Sequence, residues 1–366
     1  MRIGDLCSYA PKSQIKAGEA IEGAKYMFFT SSADESKRYS NYQLDGEGII
    51  MGTGGNATLH YYSGKYATST DCVVLLPNEQ VRCKYLYYFF KANMNTLEAG
   101  FKGAGLRHTN KKYIDNICIN NIPNFDKQDE IIFALDKLQG LIDSKNAELA
   151  LLDDLIKARF VELFGEPEYN TKKFPIAKLA DLCCIGSSKR IYQSEQCSAG
   201  IPFLRISDLT ARIDNGTESA SLYIPEKKYE ELSANGLVPA TGDILITSRG
   251  TLGKCYIVKE EDKFYFQDGM ISWLSKIDKR ITNLYVAYLF STAGIQKQIS
   301  NLQAGSTVTY LSISMLKRLN VAIPPIELQT QFAAFVDQVN KSKAAIQKSL
   351  DEAQLLFDSL MQQYFG

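Results

Sequence analysis

Two stretches of the chain carry a hydrophobic seam that alternates by four and three residues. In 126–164 it runs through Ile131, Leu135, Leu138, Ile142, Lys145, Leu149, Leu152, Ile156, Arg159 and Leu163. In the C-terminal stretch the same register returns as Phe332, Val336, Val339, Lys343, Ile346, Leu350, Ala353, Phe357, Leu360 and Tyr364. This spacing predicts two long helices that expose an a/d stripe. Pro123 and Pro324–Pro325 stand just ahead of them, and Gly165 and Gly366 end them. About 38 residues at 1.5 Å each predict roughly 57 Å of helix. Seams of this regularity are structural far more often than catalytic, and the expected partner of each is the other.

Between the seams the apolar runs are short and bounded by turn residues, which predicts strands at Tyr26–Phe29, Gly48–Met51, Asp71–Leu76, Phe203–Ile206, Asp243–Thr247, Lys254–Val258 and Met270–Leu274. One aromatic helix per half is expected, at Tyr85–Asn93 and Leu284–Ser291. A core-facing stripe is the plainer reading of those aromatics, and nucleotide stacking the alternative.

The two halves are copies of one another. Ile122–Gly165 overlays Ile323–Gly366 without a gap at an offset of 201, pairing Gln128 with Gln329 and Asp136 with Asp337. Tyr85, Tyr88 and Phe90 match Tyr285, Tyr288 and Phe290 at offset 200, and Gly48–Met51 with Gly55 matches Asp243–Ile246 with Gly250 at offset 195. Asp5–Leu6–Cys7 matches Asp181–Leu182–Cys183 at offset 176. The predicted class is mixed α/β: two duplicated globular domains separated by two long antiparallel coiled-coil helices. The expected divisions are 1–124 and 166–325 for the globular domains, and 125–165 and 326–366 for the helices.

Charge sharpens this division. Lys and Arg total 41, as do Asp and Glu, for a net charge of zero in 366 residues. Residues 1–124 hold 14 basic against 11 acidic side chains and 166–325 hold 19 against 16, an excess of +3 each. The helical segments hold 5 against 9 and 3 against 5, or −4 and −2. The positive charge thus sits in the globular parts. The eight cysteines form no CxxC pair and the histidines are only His60 and His108, so free thiols in a reducing cytoplasm are expected and a metal site is not. No apolar window is long enough to cross a membrane, and the start has no signal-peptide pattern.

The pattern resembles the DNA-specificity subunits of type I restriction–modification systems. The resemblance spans the chain and is sharpest at Gly242-Asp-Ile-Leu-Ile-Thr-Ser-Arg-Gly-Thr-Leu-Gly253, at Gly305-Ser-Thr-Val-Thr-Tyr-Leu-Ser-Ile313 and at Ile323-Pro-Pro-Ile-Glu-Leu-Gln329. In the first copy Gly48–Asn56 replaces the Arg-Gly loop and Asn124-Phe-Asp-Lys-Gln128 replaces the Pro-Pro form. The family pattern has Glu before the Gln, where Lys127 and Leu328 stand here. The resemblance implies two target-recognition domains trailed by spacer helices. It also implies a complex on double-stranded DNA with two modification (methyltransferase) subunits and with restriction (translocase/nuclease) subunits. S-adenosylmethionine, ATP and Mg²⁺ would then belong to those partners, with no cofactor bound by this chain.

Reading bases takes side-chain donors and acceptors on exposed loops, while Lys and Arg on phosphates set position. The candidates in the first copy are Thr53, Asn56, Lys65, Arg107, Lys111 and Lys112. In the second they are Ser248, Arg249, Thr251 and Lys254, with Gln267 and Asp268 on a neighbouring strand. Each could equally be an ordinary solvated loop residue. The alternative functions are an autonomous DNA methyltransferase or nuclease and a protein-binding coiled-coil scaffold. Against the methyltransferase, Ile323-Pro-Pro-Ile326 lacks the polar head and aromatic that hold a target amine, and Gly52-Thr-Gly-Gly55 has no helical pattern after it. Against the nuclease, Asp153-Asp154 and Glu260-Glu-Asp262 read as solvated helix and turn charges.

Overall fold

Alternation with period two explains why the predicted central strands are apolar on both sides. In the strand Leu44–Gly52, Ile49 and Met51 enter one core while Ile50 enters another with Phe29, Tyr66 and Val74. In Ile244–Thr247, Ile244 and Ile246 face one core and Leu245 a second with Leu204, Tyr256 and Phe266. Where both faces are covered, at Ile49–Met51 and Ile244–Ile246, the strand is a continuous apolar run, while Asp45–Glu47 of the first strand are exposed.

The structure, a computed structural model, describes residues 1–103, 105, 107–166, 170–303 and 310–366. It divides into two compact units, Met1–Glu148 with Ala345–Gly366, and Leu149–Ala344. The long helices are Phe125–Phe164 and Ile326–Phe365. Each unit therefore holds one globular part, the start of that copy's helix and the end of the other copy's.

The same four antiparallel strands form each sheet. In the first unit Cys7–Tyr9, Cys72–Pro77, Leu44–Gly52 and Leu59–Thr68 lie side by side in that order. In the second, Cys184–Gly186, Ile271–Ser275, Ile244–Thr247 and Cys255–Ile257 repeat it. Ile49 opposite Leu75 and Ile244 opposite Leu274 are equivalent pairs, all fully buried. The copies differ beyond this. The first adds Tyr26–Phe29, parallel to Leu59–Thr68, and then Arg38–Tyr39. The second builds a separate three-stranded sheet of Tyr223–Ile224, Ile201–Leu204 and Tyr265–Phe266, with Ile206–Asn215 and Glu226–Ala234 as additional helices. Ile206, expected at a strand end, opens the first of these helices.

The aromatic helices are Cys83–Ala92 and Asn283–Phe290, and their stripes are core. Tyr85, Tyr88 and Phe90 are buried, as are Tyr285 and Phe290. Tyr85 packs on Phe365 at a centroid distance of 5.1 Å and Tyr285 on Phe164 at 4.9 Å. Each stripe thus holds the end of the long helix that began in the other copy. Burial and the Asp136 carboxylate together push the Tyr88 hydroxyl well above its ordinary range.

The seams pack antiparallel. In the first unit Leu135 and Ile142 share a core with Phe357, with Leu138, Leu350 and Leu360 at its margin. In the second, Ile156 shares one with Val336 and Val339, with Leu152 at its margin, and Lys343 pairs with Asp153 at 2.7 Å. Leu149 and Ile346 are half-buried. Among the described residues no helix is long and apolar enough to cross a membrane.

Where each long helix leaves its globular part, one buried glutamine fixes the junction. Gln128 Oε1 accepts from the backbone N–H of Arg82 at 2.7 Å, and its Nε2 donates to the Pro123 carbonyl at 2.8 Å. Gln329 does the same with Thr282 at 2.7 Å and Pro324 at 2.9 Å, and also donates to the Arg280 carbonyl. Gln329→Leu is therefore expected to destabilise the protein by roughly 1–3 kcal/mol, because it strands buried backbone groups. Thermal melting checks this, and an unchanged melting temperature would remove the junction from the argument.

Candidate nucleic-acid interface

Each central strand ends in a turn stitched on both sides, in the same way in both copies. Thr53 N–H donates to the Asp71 carbonyl at 2.8 Å, and its own carbonyl accepts from Thr109 N–H at 3.0 Å. Ser248 N–H donates to the Met270 carbonyl at 2.9 Å, and its carbonyl accepts from Leu311 N–H at 3.0 Å. Just beyond, Gly55 and Gly250 take φ of +84° and +68°, a left-handed turn that favours glycine. The second flank of each turn leads into a capped short helix. Asn110 accepts from Tyr113 N–H ahead of Lys111–Asp115, and Ser312 from Met315 N–H ahead of Ile313–Arg318.

This stitching gathers five of the six first-copy candidates. Thr53 is half-buried and donates its hydroxyl to the Asp71 carbonyl at 2.9 Å. Asn56 is exposed and accepts from Arg107 Nη2 at 2.8 Å, and Glu98 lies 4.0 Å from the same guanidinium. Lys111 is exposed with its ammonium 4.3 Å from the Tyr9 ring centre, and Lys112 beside it is exposed. Lys65 is apart from them. It faces Asp45 near the opposite end of the Leu59–Thr68 strand, six residues and about 20 Å from Leu59.

In the second copy Arg249 is exposed, with its guanidinium 5.4 Å from the Tyr310 ring centre, and Thr251 is exposed beside it. Lys254 is half-buried and tied to Asp214, so its charge is already matched. Gln267 is half-buried, with its N–H on the Leu204 carbonyl, and Asp268 holds Arg190 at 3.0 Å. Ser248 was expected on an exposed loop. Instead it is 1% exposed and its hydroxyl bonds Ser272 at 2.8 Å, because the residue that leaves the strand is pinned between two neighbours. The motif segment Gly305–Thr309 lies outside the described residues.

A ring stands over the turn in both copies, which sequence reading missed. His108 bridges Gly54, and a Cβ on Gly54 would meet the imidazole at 3.2 Å. Tyr310 occupies the matching place under Arg249. The signal available was His108 itself, one of two histidines in the chain.

All eight cysteines are free, and burial pushes the Cys7, Cys83 and Cys183 thiols up to about 12. Among the described residues no three His, Cys, Asp or Glu side chains gather as metal ligands. Asp153 and Asp154 pair with Lys343 and Lys157. Asp262, expected to be solvated, is instead buried against Arg212 at 2.6 Å.

Arg249→Ala separates three roles for the exposed guanidinium. A base reader would lose roughly 1–3 kcal/mol on the cognate site and little on random duplex. A phosphate contact would weaken both alike and lower the salt slope by about one. The expected outcome is the first, since stacking on Tyr310 orients the guanidinium; wild-type affinity for both DNAs at two salt concentrations would end the candidacy.

The model of the type I restriction modification DNA specificity domain matches residues 1–153 and 171–354. A type I restriction enzyme specificity subunit of Haemophilus influenzae is 28% identical over 323 residues, covering 84% of this chain and 79% of that protein. The MjaVIII specificity subunit of Methanocaldococcus jannaschii is 25% identical over 392 aligned positions, covering 95% and 89%. The crystal structure of the type I S subunit from M. genitalium shares the fold at 15% identity, with a TM-score of 0.65 over 100% of this chain and 95% of that one. Matched in both copies, the chain belongs to the type I restriction–modification DNA specificity family and is a specificity subunit, a non-catalytic component that serves recognition of DNA sequence.

Proposed function

We propose that the chain reads a bipartite DNA target, one globular part per half-site, while the long helices set the spacing and dock two modification subunits. The observation that carries this reading is the turn built twice, at Thr53–Asn56 and Ser248–Thr251, on the same stitching but with different side chains. Equal scaffolds with unequal tips are what two readers of different half-sites need. Support for docking comes from apolar side chains left exposed on the helices: Phe133 at 70% and Leu355 at 73% in the first unit, and Leu151 at 67% in the second. Scattered surface leucines are ordinary, but large ones along a helix suit a helical partner. S-adenosylmethionine is then bound by the modification subunits, and ATP and Mg²⁺ by the restriction subunits, in a cytoplasmic complex. Methylation mapping of genomic DNA in a host carrying the chain with its partners is the test. Specific bases flanking a fixed unspecified gap are expected; a contiguous motif would overturn the reading.

A further inference from the structure

Beside the first-copy turn lies a cavity of about 250 Å³ lined by Thr53, Thr68, Thr70 and Thr109, together with Lys12 and Lys111. No Asp or Glu lines it. Among the described residues neither ammonium has a carboxylate within ion-pair distance; Lys111 rests on the Tyr9 ring instead. Hydroxyl donors are also left over. Within the described residues the hydroxyls of Thr68 and Thr70 have no hydrogen-bond partner, whereas that of Thr109 is buried beside Gly100 and Tyr113, away from the cavity. Cys72 adds no negative charge, because burial pushes its thiol up to about 11. A pocket with two cations, spare donors and no anion is matched by a group with several charged acceptor oxygens.

The second copy lacks this arrangement. The Asp71 and Met270 carbonyls occupy equivalent places, so Gln267 and Gly269 stand where Thr68 and Thr70 do. Ile313 replaces Lys111 after the cap, and Arg190 on that side is neutralised by Asp268 at 3.0 Å. The feature is therefore not a by-product of the shared scaffold.

We infer that this cavity is a seat for one DNA backbone phosphate, held by Lys12 and Lys111 with the Thr68 and Thr70 hydroxyls, which sets the register of the first reader. The inference rests on the DNA reading of the adjoining turn. A phosphate seat positions without reading sequence, so it acts on cognate and random DNA alike.

The test is binding of the full chain to a random-sequence duplex across a salt series. Each lost phosphate contact lowers the slope of log affinity against log salt by about 0.9. Lys12→Ala with Lys111→Ala is expected to lower it by about 0.9, the whole of the one contact, and Lys12→Ala alone by a measurable part of that. Thr70→Val is expected to weaken binding at an unchanged slope, since a hydroxyl displaces no counterion. Lys25→Ala, an exposed lysine beside Tyr26, is expected to behave as wild type. A wild-type slope in Lys12→Ala, or an equal loss in Lys25→Ala, would overturn the seat and leave the DNA reading standing. A wild-type chain that binds no duplex at any salt would remove the DNA reading itself. Replacing chloride by inorganic phosphate at equal ionic strength should not displace duplex; displacement seen in wild type and lost in Lys12→Ala would assign the cavity to free phosphate instead.

Discussion

Leu135→Asp is expected to cost roughly 4–5 kcal/mol, enough to unfold the first unit under conditions where the wild type is intact. Leu135 is fully buried in a core with Ile131, Phe357 and Met361. A carboxylate there meets no donor, so the chain must bury an unpaired charge or open the seam. Leu135→Ala removes volume without adding charge and should cost less, about 2–5 kcal/mol depending on how far the site collapses. Phe133→Asp on the same helix is the control: Phe133 is 70% exposed, and its replacement should move stability by no more than about 0.5 kcal/mol. Denaturant midpoints of the three variants decide it. Equal midpoints for Leu135→Asp and Phe133→Asp would mean that the helices are not packed along this seam.

The second large effect is functional. Replacing residues 170–322 by the matching part of a relative is expected to change one half of the DNA target entirely and leave the other half as it was. Each copy carries its own sheet, its own stitched turn and its own glutamine junction. The replaced part must still present an aromatic at position 285, because Tyr285 packs on Phe160 and Phe164 of the retained helix. Methylation mapping reads the outcome directly. A new motif altered in both halves, or in neither, would count against two independent readers.

Most of the architecture was legible in the sequence, for a physical reason. Long helices and central strands are dictated by hydrophobic period: the seams ran on as Phe125–Phe164 and Ile326–Phe365, and the apolar runs at Tyr26–Phe29 and Asp243–Thr247 became strands almost residue for residue. The repeat added the pairing of Gln128 with Gln329, which only a shared structural duty explains. Leu59–Thr68, the longest strand of the first unit, was not predicted, because Tyr61–Lys65 mixes polar, aromatic and glycine residues in a pattern set by its neighbours in the sheet.

The interface was less legible, because it depends on which distant segments meet. The sequence offered Ser248 as a loop hydroxyl, yet pairing with Met270 and Leu311 buries it. It offered Lys254 as a free cation, yet folding brings Asp214 to it from an inserted helix. Lys12, Thr70 and Lys111 are far apart in the chain and carry no motif, and only the sheet places them around one cavity. Local periodicity follows from the repeating geometry of the backbone, so the sequence by itself determined the long helices, the central strands and their duplication. The charge, burial and grouping of loop side chains arise from contacts across tens to hundreds of residues, and only the tertiary structure decided those.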